Sequence, residues 1–158
     1  MANQPRSERP FMPGYGISES EAGILPWSWA VERLNRSQNF WLSTTRPDGR
    51  PHSMAVWAVW LSGGLYFSTG ESTTKSRNLA RRADCVVTTD QAAEPVVIEG
   101  RAERVAADLS EVLSAYVEKY GMAYPGDSAV YRIEPVVAFG FLEEASRFPS
   151  SATRWVFS

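Results

Sequence analysis

The sequence contains a single cysteine, Cys85, so no internal disulfide can form. Its setting in an apolar, β-rich run suits a buried, inert thiol. A single histidine, His52, excludes any site built on two histidines. Only two lysines, Lys75 and Lys119, stand against fourteen arginines. The formal net charge is −2, so no excess of positive charge marks a nucleic-acid surface. No apolar run reaches the roughly 20 residues needed to span a bilayer, so no membrane partner is expected. The opening MANQPRSERP lacks the apolar core of a secretory signal, and a cytoplasmic location is expected. Metal-ligand spacings are missing. Glu99, Glu103 and Asp108 are too scattered to form a catalytic carboxylate pair. Repeats and low-complexity tracts are also missing. What remains is 158 residues, 44% of them hydrophobic, enough for one domain with a real core.

Residues 1–24 are rich in Pro, Gly, Ser and Glu without periodicity, and read as a flexible arm folded over a neighbour. Residues 25–158 read as the domain. Pro26 precedes a short amphipathic helix, Trp27 to Arg36, with Trp27, Ala30, Val31 and Leu34 on one face. Phe40 to Thr45 is β-rich. The turn Arg46-Pro47-Asp48-Gly49 leads into an alternating strand, Pro51 to Leu61, with apolar groups on both faces. Ser62-Gly63-Gly64 closes a hairpin and Leu65 to Thr69 returns, completing an antiparallel meander. A helix follows from Thr74 to Ala83, with Leu79 and Ala80 inward and Arg77, Arg81 and Arg82 outward. Cys85 to Thr89 and Val96 to Val105 are strands, the second with a bulge at Gly100. Asp108 to Tyr120 is a helix capped by Asp108, its stripe formed by Leu109, Val112, Leu113, Tyr116 and Val117. Val130 to Ile133 and Val136 to Leu142 are strands separated by Pro135, and Thr153 to Phe157 suits a last one. The pattern is mainly β, an antiparallel α+β or barrel arrangement with a few helices.

The stretch Gly70 to Arg77 carries the chemistry. A helix N-terminus presents unpaired N–H donors and partial positive charge. Lys75 and Arg77 therefore stand where cations are mildly unfavourable, by about 0.3–1 kcal/mol each. A bound anion turns that penalty into attraction and adds charge-assisted hydrogen bonds. Ser72, Thr73 and Thr74 bring hydroxyls to the same point, while Glu71 is expected to turn away. Two readings stand side by side: a phosphate-bearing ligand, or hydroxyls that cap the helix beside solvated cations. The strand Ser53 to Ala58 lies next to this corner in the expected meander. A planar ring could lie across it, with Trp57 stacked on it or simply packed in the fold.

The ordered segments SMAVWA, LYFSTG, STTKSRNLARR and VVIEGRAERV, together with LPWSWAVERL, TRPDGRPH and ATRWVF, carry a family resemblance. Over residues 25–157 the chain resembles the split-barrel proteins of the pyridoxamine 5′-phosphate oxidase-like superfamily. It looks closest to the branch that uses FMN or the deazaflavin F420. The resemblance implies an antiparallel FMN-binding split β-barrel and a homodimer with cofactor between the subunits. It implies cofactor contacts from Ser53, Met54, Ala55, Val56 and Trp57 on the ring strand and from Ser68 and Thr69 on the next. Ser72, Thr74, Lys75 and Arg77 fall at the phosphate corner. The family's basic pair at the helix start falls on Thr74 and Lys75, so threonine replaces one arginine. Ser53 and Ala58 stand where true oxidases place arginine and lysine, and a flavin-reading glutamine gives way near Pro95. No counterpart of the residues that grip pyridoxal phosphate is found, and the roles of Arg154 and Trp155 stay open.

The implied function is that of a flavin- or F420-dependent oxidoreductase passing hydride to or from a small conjugated substrate, but not ordinary pyridoxamine phosphate oxidation. The alternative is a non-catalytic dimer that binds or carries flavin, F420 or heme. A third reading is a scaffold whose site has decayed. No catalytic residue is assigned. His52 is either a proton donor near the ring or a surface turn residue. Tyr116, Tyr120, Tyr124 and Tyr131 either include a substrate acid or serve packing.

Overall fold

The computed structural model describes residues 4–158. The described elements are β1 (Arg6–Glu8), α1 (Trp27–Arg36), β2 (Phe40–Thr45), β3 (Pro51–Val56), β4 (Ala58–Leu61), β5 (Gly64–Thr69) and α2 (Thr74–Arg81). They continue with β6 (Asp84–Thr89), β7 (Val96–Arg104), α3 (Ser110–Tyr120), β8 (Ala129–Gly140), α4 (Phe148–Ser151) and β9 (Thr153–Val156). Every strand pairing is antiparallel. From β2 the sheet runs through β6 and β7 to β8, which also pairs with β5. β5 pairs with β4, and β3 returns to β2. Taken as one bent strand, β3 and β4 close the sheet into a barrel, the antiparallel split barrel expected from the sequence.

That bend is the main departure inside the meander. The alternating run Pro51 to Leu61 reads as one strand but breaks at Trp57. Its first half pairs with β2 and its second with β5. The cause lies on α3. The Tyr120 hydroxyl accepts the Ala58 N–H at 2.8 Å and sits 2.9 Å from the Ala58 carbonyl and 3.0 Å from that of Gln38. Its one proton serves one carbonyl at a time. Lys119 Nζ donates to the Ala58 carbonyl at 2.9 Å. Side chains thus satisfy the backbone where the strand changes partners. Tertiary contacts of this kind leave no mark on local periodicity.

Pro135 does not divide the chain into separate strands; β8 runs straight through it. Gly100 lies opposite Pro135 at a register shift whose extra residue, Val136, is in β8 and not in β7, so the missing proline donor falls where the ladder is already broken. A Cβ on Gly100 would sit 2.4 Å from the Glu134 carbonyl oxygen, so the close approach requires glycine. The Ser62-Gly63 hairpin has both residues at positive φ, 50° and 77°, as a two-residue turn needs.

The barrel interior holds Phe40, Leu42, Leu65, Phe67, Val87, Ile98 and Ile133. Beside it, α1 sets Trp27 edge-on against Trp60, Trp155 and Phe157. A smaller cluster of Val59, Val112, Tyr116 and Val130 lies under α3. α3 departs from its expected stripe, because Leu113 and Val117 are exposed while Val112 and Tyr116 are buried. Asp108 does not cap it; Leu109 does, and the Asp108 carboxylate accepts the Ser110 N–H at 2.9 Å. On α2, Ala80 is exposed, and Ser76 and Asn78 turn inward with Leu79. Their polar groups are met by the Tyr131 hydroxyl at 2.8 Å and Thr44 Oγ1 at 3.0 Å.

Within residues 4–24 the expected arm is tied to the chain's own barrel. β1 pairs with β9, and the Arg9 guanidinium donates to the carbonyls of Ser20, Ala22, Ser150 and Ala152. A three-residue strand is too short to show a period of two, and a carbonyl-bound arginine is invisible to pattern. Residues 1–3 lie outside the described residues.

Candidate functional site

The site is built at the corner where β5 hands over to α2. Thr73 caps the helix, its Oγ1 accepting the Ser76 N–H at 3.3 Å. The same oxygen lies 3.0 Å from Thr69 Oγ1 and 2.9 Å from the Gly70 carbonyl. Capping thus consumes the Thr73 hydroxyl. Lys75 follows in the first turn. Its ammonium has no ion pair among the described residues, and burial pulls its pKa below the usual lysine value. Glu71, as expected, turns away and ion-pairs with Arg104.

Lys75 lines a cleft of about 310 Å³ with Asn39, Ala55, Val56, Trp57, Ser68, Thr69 and Tyr116. β3 pairs only with β2 among the described residues, so its other edge offers unpaired backbone donors and acceptors. Trp57 stacks on Tyr120 at 4.5 Å with the rings 2° from parallel, and remains 37% exposed. Burial raises the Tyr116 pKa, with the Ser68 hydroxyl partly opposing it.

Of the site residues read from sequence, Ala55, Val56, Trp57, Ser68, Thr69 and Lys75 meet at this cleft. Ser53 and Met54 stand on the same strand outside it; Ser53 Oγ pairs with Ser43 Oγ at 3.2 Å, and Met54 is exposed. Ser72 is not among the lining residues. Thr74 and Arg77 line a neighbouring pocket instead. Asn39 was missed, since a lone asparagine before a strand carries no signal for its partners across the barrel. His52, on β3, has a buried Nδ1 without a hydrogen-bond partner. Burial, then Arg46 and Lys75, hold its pKa below the ordinary imidazole value. A larger groove of about 500 Å³, lined by residues including Ser43, Val86, Glu99 and Val136, offers one cation, Arg82, already paired with Asp84 at 3.3 Å.

The profile of the pyridoxamine 5′-phosphate oxidase family matches residues 30–141, more than half of the sequence. The chain belongs to that family. Among solved structures, a conserved hypothetical protein from Mycobacterium tuberculosis superposes with a TM-score of 0.67 at 21% identity, over 82% of this chain and 92% of that one. An F420 reductase superposes at 0.58 with 21% identity, over 68% and 93% of the two chains. A heme-binding protein from Mycobacterium smegmatis gives 0.62 at 19% identity, over 74% of this chain and 55% of that one. Likeness at these identities speaks to the fold alone. A search of curated proteins finds no match. No helix among the described residues is long and apolar enough to cross a membrane.

Proposed function

We propose that the protein is an oxidoreductase that uses FMN or F420, with the cofactor in the cleft beside β3. One observation carries this reading. A lysine without a counter-ion among the described residues lines the same cleft as the free edge of a strand, two hydroxyls and a stacked tryptophan. Lys75 would hold the cofactor phosphate through charge-assisted bonds. Ser68 and Thr69 would bond its chain, and the backbone of Ala55 to Trp57 would read the polar edge of the ring. Ala58 is fully buried and Ser53 is bonded to Ser43, so backbone groups must do what charged side chains do in true oxidases. When bound, the ring supplies the hydride chemistry. The protein's role is to orient it, with Trp57 held in place by its stack on Tyr120.

The cleft, at about 310 Å³, lies near the lower bound for ligand sites and is open on one side. A second copy of the chain would complete it. Trp41 and Met54, 52% and 47% exposed on β2 and β3, belong to the surface such a homodimer would cover. A small conjugated carbonyl, alkene or quinone is the substrate class, and the cytoplasm the location. Titrating the purified protein with FMN and with F420, followed by fluorescence, tests the reading. Tight binding of either, followed by acceptor reduction, supports it. Binding of neither, or a Soret band in the purified protein, overturns it.

A further inference from the structure

The pocket that takes Thr74 and Arg77 is about 440 Å³ and is lined by Arg46, Arg50, Thr74, Arg77, Asn78 and Arg81, with Pro47 and Asp48. Four arginines thus border it, two from the β2–β3 turn and two from one face of α2. A single carboxylate, Asp48, faces them. It is held by Arg50 at 2.8 Å, which leaves Arg46, Arg77 and Arg81 without an ion pair among the described residues. Arg77 and Arg81 are spaced i,i+4, an arrangement that costs a helix stability when the charges are alike. α2 has no acidic residue in its first turn to relieve them. Elsewhere the chain does pair its arginines. Arg33 and Arg36 share Glu94, Arg82 and Arg101 share Asp84, and Arg104 takes Glu71. Arg46 still feels the Asp48 carboxylate, which Arg50 already holds, so around this concavity four arginines meet one acid, a local excess of positive charge in a chain of net charge −2. The excess is continuous with the cleft. His52 feels the charges of both Arg46 and Lys75, and Thr74 and Lys75 are adjacent in sequence while lining the two pockets.

We infer that this pocket is a second oxyanion subsite, which takes a phosphate or carboxylate distinct from the one at Lys75. Arg77 and Arg81 supply the fork from the helix and Arg46 closes it from the turn, in the planar geometry that suits either oxyanion. The anion has two sources: an extension of the ligand in the cleft, or a separate small metabolite.

Inorganic pyrophosphate, followed by phosphorus NMR on the full chain at low ionic strength, is the probe, and it needs no assumption about redox chemistry. Lys75→Ala is expected to retain pyrophosphate binding at the arginine pocket. Adding Arg77→Gln and Arg81→Gln in that background should weaken what remains at least tenfold. Both arginines are exposed and their like charges oppose each other along the helix, so a melting temperature no lower than that of Lys75→Ala checks the fold. FMN, with one phosphate, and F420, which carries carboxylates beyond its phosphate, then separate the sources in the Arg77→Gln/Arg81→Gln protein. Tenfold weaker F420 with unchanged FMN marks an extension of the ligand. Unchanged affinity for both, with pyrophosphate lost, marks a separate anion. The subsite is overturned if Lys75→Ala alone abolishes pyrophosphate binding, or if the two glutamines alter nothing in that background. Failure of both cofactors to bind would sink the redox reading and leave the pyrophosphate result standing.

Discussion

Around α1, Trp27, Trp155 and Phe157 pack edge to face, and Trp155 is fully buried with its Nε1–H donating to the Leu25 carbonyl at 3.1 Å. The Leu25 N–H in turn donates to Thr153 Oγ1 at 2.9 Å. At the β5–α2 corner Trp57 stays 37% exposed, and among the described residues Lys75 has no ion pair and β3 has a free edge. One region has spent its polar and apolar groups on itself; the other has left them open. Folding stability should therefore live in the first and ligand affinity in the second, and mutations should separate the two.

The largest effect is expected from Trp155→Ala. Removing a fully buried indole should cost about 3–5 kcal/mol, read as a lower urea midpoint. Cofactor affinity of the remaining folded protein should stay near the wild-type value. A stability loss under about 1 kcal/mol would mean that the cluster is not the anchor its packing indicates. Lys75→Ala should do the reverse. Loss of a charge-assisted contact should weaken a phosphate-bearing cofactor by about 1.5–3 kcal/mol. Stability should move by less than about 0.5 kcal/mol, because no native ion pair is lost. Unchanged affinity in fluorescence titration would remove the phosphate assignment and blur the contrast between the regions.

Tyr120→Phe sharpens the comparison, since Tyr120 belongs to both sides of it. Its ring supports Trp57, and its hydroxyl holds Ala58 where β3 becomes β4. The phenylalanine keeps the stack and loses the bonds, leaving the Ala58 N–H unpaired. A stability loss of about 1–2 kcal/mol is expected by denaturant titration. If the strand break steadies the ring strand, cofactor affinity falls with it; unchanged affinity would confine the hydroxyl to folding.

The sequence made the closed region and the outline of the open one legible for different reasons. Helix α1 and the two hairpin turns follow from local pattern and turn chemistry, whereas the bulge expected at Gly100 falls across the ladder at Val136. Lys75 stood out because lysine is scarce here and this one follows a hydroxyl-rich run. The break at Trp57 was hidden because Pro51 to Leu61 alternates without interruption and its cause sits some sixty residues away on α3. Ala80 looked like a core residue by type, yet Asn78 took the inward place because Thr44 lay within hydrogen-bond reach. The arginine pocket joins Arg46 and Arg50 to Arg77 and Arg81. No spacing rule links a hairpin turn to a helix face across that interval.

The smallest effect concerns Lys119, which also reaches Ala58. Burial, partly opposed by Asp90, pulls its pKa from 10.5 to about 8. The folded protein therefore releases this proton near pH 8, while the unfolded chain keeps it until about 10.5. Between those values the unfolded state binds more protons, so this group makes stability rise with pH. Cys85 works against it from about pH 9, where the unfolded thiol ionises; burial holds the folded one up to about 12. Tyr120, raised to about 12, opposes it above pH 10. Below about pH 9 neither Cys85 nor Tyr120 opposes it, and Lys75, also lowered by burial, acts in the same direction and is shared by the two proteins compared. Urea midpoints of the wild type and of Lys119→Met, measured from about pH 7 to 9, should differ by an amount that shifts in favour of the wild type as pH rises. A difference that stays flat across that range would mean that Lys119 is solvated rather than held against Ala58. The strand break would then rest on Tyr120 alone.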